Sequence, residues 1–159
     1  MKCQSTRFGS FEISENSLLT FPSGLLGFPD QLRYVILDHD HPAPFKWLQS
    51  VDEPSLAFVI MDSADVVDEY SVDIAPEALK EIQADQTDEL SLAVILTIPS
   101  SDPASVTANL RGPLLFNART KLCKQLVLSE TMPTRHPLFP SQVMSDQSRP
   151  EPVQLGSSR

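Results

Sequence analysis

Short segments in which apolar and polar residues partly alternate make up most of the first 75 residues. Alternation with a period of two puts every second side chain on one face of a strand, whereas a surface helix repeats its apolar residues every three or four positions. The segments are rich in aromatic and β-branched residues and are separated by acidic or proline-bearing turns. They predict strands within residues 5–14, 16–21, 33–38, 45–50, 56–62 and 69–74.

A helix and a buried strand are predicted next. The helix spans residues 76–85, because Pro76 suits a first helical turn and the apolar side chains of Leu79 and Ile82 share one face. The continuous apolar run at 89–99 predicts a strand that is buried on both faces and lies at the centre of the core.

Three further strand-like segments follow, at residues 106–110, 113–118 and 123–129, the last two joined by a polar turn around Arg119 and Thr120. The repeated short strands indicate a mainly β fold, either an antiparallel sheet or a barrel, in a single domain with one or two short helices. The 14 prolines against five glycines agree with many short elements and stiff connections.

We assign residues 1–139 to this domain. Residues 140–159 are polar and contain prolines, so we expect them to form a flexible C-terminal tail. Cys3 and Cys123 are far apart in the sequence, and no apolar run has the length of a signal peptide or a membrane span. We therefore expect a cytoplasmic protein with reduced thiols that does not bind membranes. A disulfide between the two cysteines is the less favoured alternative.

Negative charge is concentrated in the middle of the chain. The formal net charge is -9, and residues 38–89 hold 14 acidic residues but only two basic ones. Such a region repels nucleic acid and accelerates the encounter with a basic partner. A solvated surface that only keeps the protein soluble is an equally good interpretation of the same charges.

Basic residues are concentrated elsewhere, with Arg111, Arg119, Lys121 and Lys124 all within residues 107–125. No aromatic residue interleaves with them as in a base-stacking platform, and alternation along a strand does not put them on one face. Charged ends on an apolar hairpin more often prevent association between sheet edges. We therefore expect no direct binding of nucleic acid.

Two histidines resemble a metal site at first, because His39 and His41 alternate with Asp38 and Asp40 and could share one face of a strand. The segment precedes prolines in a predicted turn, and the third histidine, His136, is far away in the sequence. A solvated acidic turn is the better interpretation, and we expect no metal site.

Catalytic motifs give no stronger signal. A nucleophilic pair of Cys123 and His136, or a serine-based triad, lacks a supporting local motif. We therefore expect neither an enzyme nor a cofactor. The loop at 21–30, FPSGLLGFPD, contains two prolines and two glycines and is too apolar for a free linker, so it should fold onto the core. A small β-barrel ligand-binding domain or enzyme with its site at this loop remains an alternative.

Five segments in a fixed order carry a resemblance to a known family: FPSGLLGFPD, FKWLQSVDEPSLAFVIMD, VILTIPS, VTANLRGPLLFNARTKLCKQLVLSE and RHPLF. Over residues 6–139 this order resembles the flagellar assembly factor family FliW. Gly112, Phe116 and Cys123 depart from the usual family residues, as volume changes within the predicted hairpin. The most specific family positions, which we expect to be structural, are Phe21, Pro22, Gly24, Gly27, Phe28, Trp47, Gln49, Asn109, Pro113 and Asn117.

The resemblance implies a compact, mainly antiparallel β-barrel-like fold and a non-enzymatic cytoplasmic regulator, with a monomer as the expected state. Proteins of this family bind flagellin and, in many bacteria, the small RNA-binding translational repressor CsrA. Unexported flagellin occupies the factor, and export frees the factor to bind the repressor and lift repression of flagellin synthesis. An RNA-binding repressor is locally basic, so the acidic region should attract it. The first candidates for partner binding are Asp62, Asp65, Asp68, Glu69 and Asp73.

Overall fold

The computed structural model describes residues 1–38 and 45–138. Within these ranges the chain forms one α-helix, α1 (Pro76–Glu81), and eleven β-strands, with short 3₁₀ turns between some of them. The strands are β1 (Lys2–Ser5), β2 (Gly9–Glu12), β3 (Leu19–Thr20), β4 (Arg33–Leu37), β5 (Phe45–Ser50), β6 (Ala57–Asp62), β7 (Leu90–Thr97), β8 (Thr107–Ala108), β9 (Leu114–Asn117), β10 (Leu122–Gln125) and β11 (His136–Pro137).

Seven strands close into a barrel in the order β7, β6, β5, β4, β3, β10, β9, and β9 pairs back onto β7. Closure is possible because β7 is paired along both edges: residues 93–96 pair with β6, residues 90–93 pair with β9, and its last residues pair with β8. The predicted mainly β, barrel-like domain with few helices is confirmed. One barrel pairing is parallel rather than antiparallel, between Leu122 of β10 and Thr20 of β3.

The barrel interior is filled by large side chains from most of its strands. Phe21 and Tyr34 are fully buried and pack edge to face, with ring centroids 5.4 Å apart. Leu48, Leu114 and Cys123 complete this fully buried set from three other strands. Burial of this much apolar surface is the main favourable contribution to the stability of the fold.

The other face of β7 is covered as well, as predicted for the apolar run. Ala93 points into the barrel core, whereas Val94 and Leu96 belong to a second cluster on the outside of the barrel. Val66 and Tyr70, from the segment after β6, pack against this second cluster. The barrel therefore has an outer apolar layer on one side.

The strand predicted over residues 69–74 was wrong. These residues form no ladder with another strand and lie extended over the outside of the barrel. Tyr70, Val72 and Ile74 pack inward, and the residues between them are exposed. The alternation of apolar and polar residues correctly indicates which side chains are covered. It does not indicate whether a neighbouring strand is available for backbone pairing.

The predicted helix is shorter than expected. It ends at Glu81 because Gln83 adopts a left-handed conformation with φ of 53°, and the N–H of Ala84 donates to the carbonyl of Leu79 at 2.9 Å, which closes the last turn. Several strands are also shorter than their predicted segments, because turns interrupt 5–14 and 16–21 and β8 keeps only two residues of 106–110. The predicted tail at 140–159 lies outside the described residues.

Leu96 provides a test of the outer layer, because its side chain is only 6% exposed. We expect Leu96→Ala to lower the free energy of unfolding by about 2–5 kcal/mol, through lost burial and a residual cavity. Ile98→Ala, at a side chain that is 44% exposed, is the matched control and should change it by less than about 0.5 kcal/mol. Urea unfolding monitored by circular dichroism gives both values, and equal small effects would contradict the packing described for β7.

Candidate functional site

The acidic segment forms a strap over the barrel, defined here as residues 62–75. It begins at the end of β6, where Asp62 accepts a hydrogen bond from the N–H of Ala64 at 2.9 Å and caps a 3₁₀ turn. It ends where Pro76 starts α1. The five partner-binding candidates all lie on this acidic strap and all are exposed: Asp62, Asp65, Asp68, Glu69 and Asp73.

Apolar contacts hold the acidic strap in place. Val66, Val67 and Tyr70 pack on the cluster around Leu96, and the following apolar residues pack on the cluster around Ile82. The hydroxyl of Tyr70 donates to the carbonyl of Leu110, and burial raises the pKa of Tyr70 to about 12. Because the apolar side chains face the barrel, the carboxylates between them face solvent. The strap is therefore an anchored, outward-facing acidic surface.

A cleft of about 700 Å³ opens beside the start of the acidic strap, at the end of the barrel where β4 and β6 finish. Ile36, Ile60 and Phe116 form part of its apolar wall, while Asp62 and Lys121 are among its polar lining residues. Sequence reasoning did not find this cleft. Alternation marks a side chain as inward-facing, but it does not distinguish the filled middle of a barrel from its open end.

The 21–30 loop is built as a structural cap on the opposite end of the barrel, where β3 finishes and β4 begins. Phe21 and Leu25 are buried, and Gly24 has φ of 69°. A side-chain carbon at Gly24 would lie 2.7 Å from the carbonyl oxygen of Phe28, so only glycine fits there. Phe28 is 39% exposed and packs on Phe58. Pro22 and Gly27 lie exposed on the same loop.

The Trp47 to Ser50 stretch attaches the β1–β2 hairpin to the barrel. Gln49 is fully buried, and its Oε1 accepts a hydrogen bond from Ser5 at 2.8 Å. Its amide nitrogen donates to carbonyl oxygens, including that of Leu56 at 3.1 Å. Trp47 packs edge to face on Phe8, with ring centroids 5.5 Å apart. These contacts give both the oxygen and the nitrogen of a buried amide hydrogen-bond partners, and they support a structural interpretation of both family positions.

The two asparagines hold turns, as the sequence predicted. The side-chain oxygen of Asn109 accepts hydrogen bonds at 3.0 Å from the N–H groups of Arg111 and Gly112. The side-chain oxygen of Asn117 accepts from the N–H of Arg119 at 3.1 Å. Pro113, between these turns, is buried immediately before β9.

Three of the four clustered basic side chains interact within the chain itself. Arg119 forms a two-point ion pair with Asp88, with Nε to Oδ1 at 2.6 Å and a second nitrogen to Oδ2 at 3.0 Å. Arg111 donates to backbone carbonyls of the 130–132 segment. Lys124 lies 3.3 Å from a carboxylate oxygen of Glu81. These contacts explain much of the basic cluster without an external anion.

The geometry around the two cysteines does not favour a nucleophilic role for either thiol. Cys3 and Cys123 are both buried and free, and burial raises the pKa of Cys123 to about 12, which disfavours the reactive thiolate. No hydrogen bond joins Cys123 to His136 within the described ranges.

No group of potential metal ligands occurs among the described residues, and His39 and His41 lie outside them. A helix with the length and apolar character of a membrane span is likewise absent from the described part of the chain.

Comparisons with known proteins agree on one family. The model of the family described as "FliW protein" matches residues 2–138. The flagellar assembly factor FliW of Natranaerobius thermophilus is 36% identical over 143 residues, which cover 89% of this chain and 95% of that protein. The flagellar assembly factor FliW of Geobacter sulfurreducens is 38% identical over 140 residues, 87% of each chain. A crystal structure of the flagellar assembly factor FliW matches with a TM-score of 0.80 and 32% identity, covering 90% of this chain and 100% of that one.

The hydrogen bonds to the carboxylate of Asp88 predict how the stability of the fold depends on pH. The hydrogen bonds from Arg119, the N–H of Asp85 and Asn117 hold the pKa of Asp88 well below its usual range. A carboxyl group whose pKa is lower in the folded state than in the unfolded state stabilises the fold at pH values above its unfolded-state pKa, which is about 3.9. This stabilisation is lost progressively as the pH falls below that value. Asp88→Asn should therefore lower the melting temperature near neutral pH, with a difference from the unmodified chain that narrows below about pH 4.

Melting temperatures measured from neutral pH to about pH 3 test this expectation. Asp30→Asn is the matched control, because Asp30 is exposed and lies outside this network. It should leave the pH profile unchanged. A constant difference between Asp88→Asn and the unmodified chain across the whole range would contradict the assigned role of the carboxylate.

Proposed function

Because the chain belongs to the FliW family of flagellar assembly factors, we propose that it is a non-enzymatic adaptor that binds flagellin and the translational repressor CsrA in the cytoplasm. Flagellin occupies the adaptor while it awaits export. Once flagellin has been exported, the freed adaptor binds the repressor and relieves repression of flagellin synthesis. Mass action is sufficient for this switch when binding of one partner opposes binding of the other, and no catalytic step is needed.

The acidic strap is the observation that carries the repressor half of this proposal. A protein that grips RNA must present basic groups, because phosphate contacts dominate RNA affinity. The strap holds Asp65, Asp68, Glu69 and Asp73 exposed on a backbone that is anchored by apolar contacts. An anchored row of carboxylates attracts a basic surface and does so without first having to become ordered.

The same surface should repel RNA and so favour a repressor that has released its message. Like charges brought together at an interface disfavour the wrong complex, and this disfavouring supplies specificity. An adaptor that bound the repressor through such a surface would therefore oppose RNA binding by electrostatics as well as by simple obstruction.

Charge reversal of the acidic strap tests the repressor interaction. Asp68→Lys combined with Asp73→Lys changes two exposed side chains and avoids Asp62, which caps a turn. At low ionic strength we expect the association rate with purified CsrA to fall by about tenfold, and its dependence on salt to become flatter. Stopped-flow or surface plasmon resonance measurements across a salt series give both quantities.

Glu15→Lys combined with Glu130→Lys is the matched control, because it makes the same change in net charge at exposed positions that do not belong to the acidic strap. This control should alter the association rate much less than the strap variant. Equal effects of the two variants, or an association rate that does not depend on salt, would overturn the assignment of the repressor to the strap.

A further inference from the structure

Exposed apolar side chains concentrate beside the 21–30 loop. Leu26 is 61% exposed and Val127 is 68% exposed, the two highest values among the large apolar residues that are exposed in the described ranges. Both line one groove of about 260 Å³, called here the loop groove, which lies between residues 23–29 and residues 124–127. A solvent-exposed apolar groove on a small protein is a common feature of interaction sites.

One wall of the loop groove is an open sheet edge. The register of β10 with β9 continues beyond β10, because the N–H groups of Leu126 and Leu128 donate to the carbonyls of Pro113 and Arg111, each at 2.8 Å. In an extended chain, successive residues point their backbone groups to opposite sides, so those of Val127 point away from this ladder. Within the described residues, nothing bonds to the N–H or the C=O of Val127.

The other wall of the loop groove, residues 23–29, is fixed by a hydrogen bond between its backbone and the side chain of Gln125. The side-chain oxygen of Gln125 accepts a hydrogen bond from the N–H of Leu26 at 2.8 Å, and its nitrogen donates to the carbonyl of Gly112 at 3.0 Å. A side-chain carbon at Gly112 would approach this nitrogen to 2.9 Å, so the glycine leaves room for the bridge. The exposed Leu26 is therefore presented on a fixed loop, which lowers the entropy cost of binding.

The charges next to the loop groove neutralise each other. Lys124 lies 3.3 Å from one carboxylate oxygen of Glu81, and the other carboxylate oxygen accepts a hydrogen bond from the hydroxyl of Ser23 at 2.7 Å. A highly charged partner gains little here, in contrast to the acidic strap. The groove therefore suits an apolar, uncharged segment.

We propose that the loop groove binds an extended, apolar and uncharged segment of flagellin, which adds a strand along the open edge at Val127 and packs its side chains against Leu26 and Val127. Strand addition combines main-chain hydrogen bonds with side-chain pockets and needs both features that are found together here. This inference rests on the proposed function and specifies which surface serves the flagellin half of it.

Val127→Pro tests the strand addition, because proline removes the outward N–H and its ring obstructs the edge without breaking either neighbouring ladder bond. Val127→Thr is the matched control, since it retains a branched side chain and the N–H. With purified monomeric flagellin, calorimetric titration should show binding weakened by at least about tenfold for Val127→Pro and much less for Val127→Thr. The melting temperature of each variant checks that the fold is intact.

Leu26→Asp is a second variant that tests the loop groove should Val127→Pro fail to fold. The side chain is exposed, so the charge should not disturb the fold, but it would be buried against the bound segment. Ile98→Asp, at an exposed apolar side chain outside the groove lining, is its control. We expect Leu26→Asp alone to weaken flagellin binding by at least about tenfold while binding of CsrA is retained.

Hydrogen exchange of the Val127 amide gives an independent measurement. We expect rapid exchange in the free full-length chain and protection on addition of flagellin. Slow exchange in the free chain would mean that another part of this chain occupies the edge, and it would overturn the proposal. Normal flagellin binding by the folded variants would overturn the assignment of flagellin to the loop groove but would leave the proposed adaptor function intact. Absence of flagellin binding by the unmodified chain would overturn both the assignment and the adaptor function.

Discussion

Pairing of β7 along both of its edges is the interaction on which the rest of the structure depends. β6 on one edge and β9 on the other close the barrel, and β8 pairs with the last residues of β7 beyond β9. A closed barrel has an inside and an outside, and β7 is apolar on both faces, so its outer face also needs a cover. The acidic strap provides that cover through Val66, Tyr70 and the apolar residues after them. Its carboxylates point outward because its apolar side chains must point inward.

Much of this architecture could be predicted from the sequence, and the errors have physical causes. The apolar run at 89–99 indicated a strand covered on both faces. A continuous apolar run indicates this burial regardless of which elements cover the two faces. The segment 69–74 alternated like a strand, yet no backbone lies beside it to pair. A site at the 21–30 loop was kept as an alternative from the sequence, but the loop groove itself was not predicted, because the exposure of Leu26 and Val127 depends on how a loop and a strand end meet across about 100 residues of sequence.

The two proposed binding surfaces are physically connected. The acidic strap continues directly into α1, and Glu81 at the end of α1 contacts both Lys124 and Ser23 beside the loop groove. Partner switching between separate surfaces requires that binding at one lowers the affinity at the other, and α1 is the element that links the two surfaces. Any such coupling must be reciprocal, because each ligand changes the affinity of the other by the same factor. Partner switching then requires no overlap of the two surfaces.

The most direct test of the adaptor is the affinity of the full-length chain for purified flagellin, measured by calorimetry with and without saturating CsrA. We expect CsrA to weaken flagellin binding by at least about tenfold, and flagellin to weaken CsrA binding by the same factor. Equal flagellin affinity in the two titrations, with a stable complex of all three proteins, would contradict the partner switch.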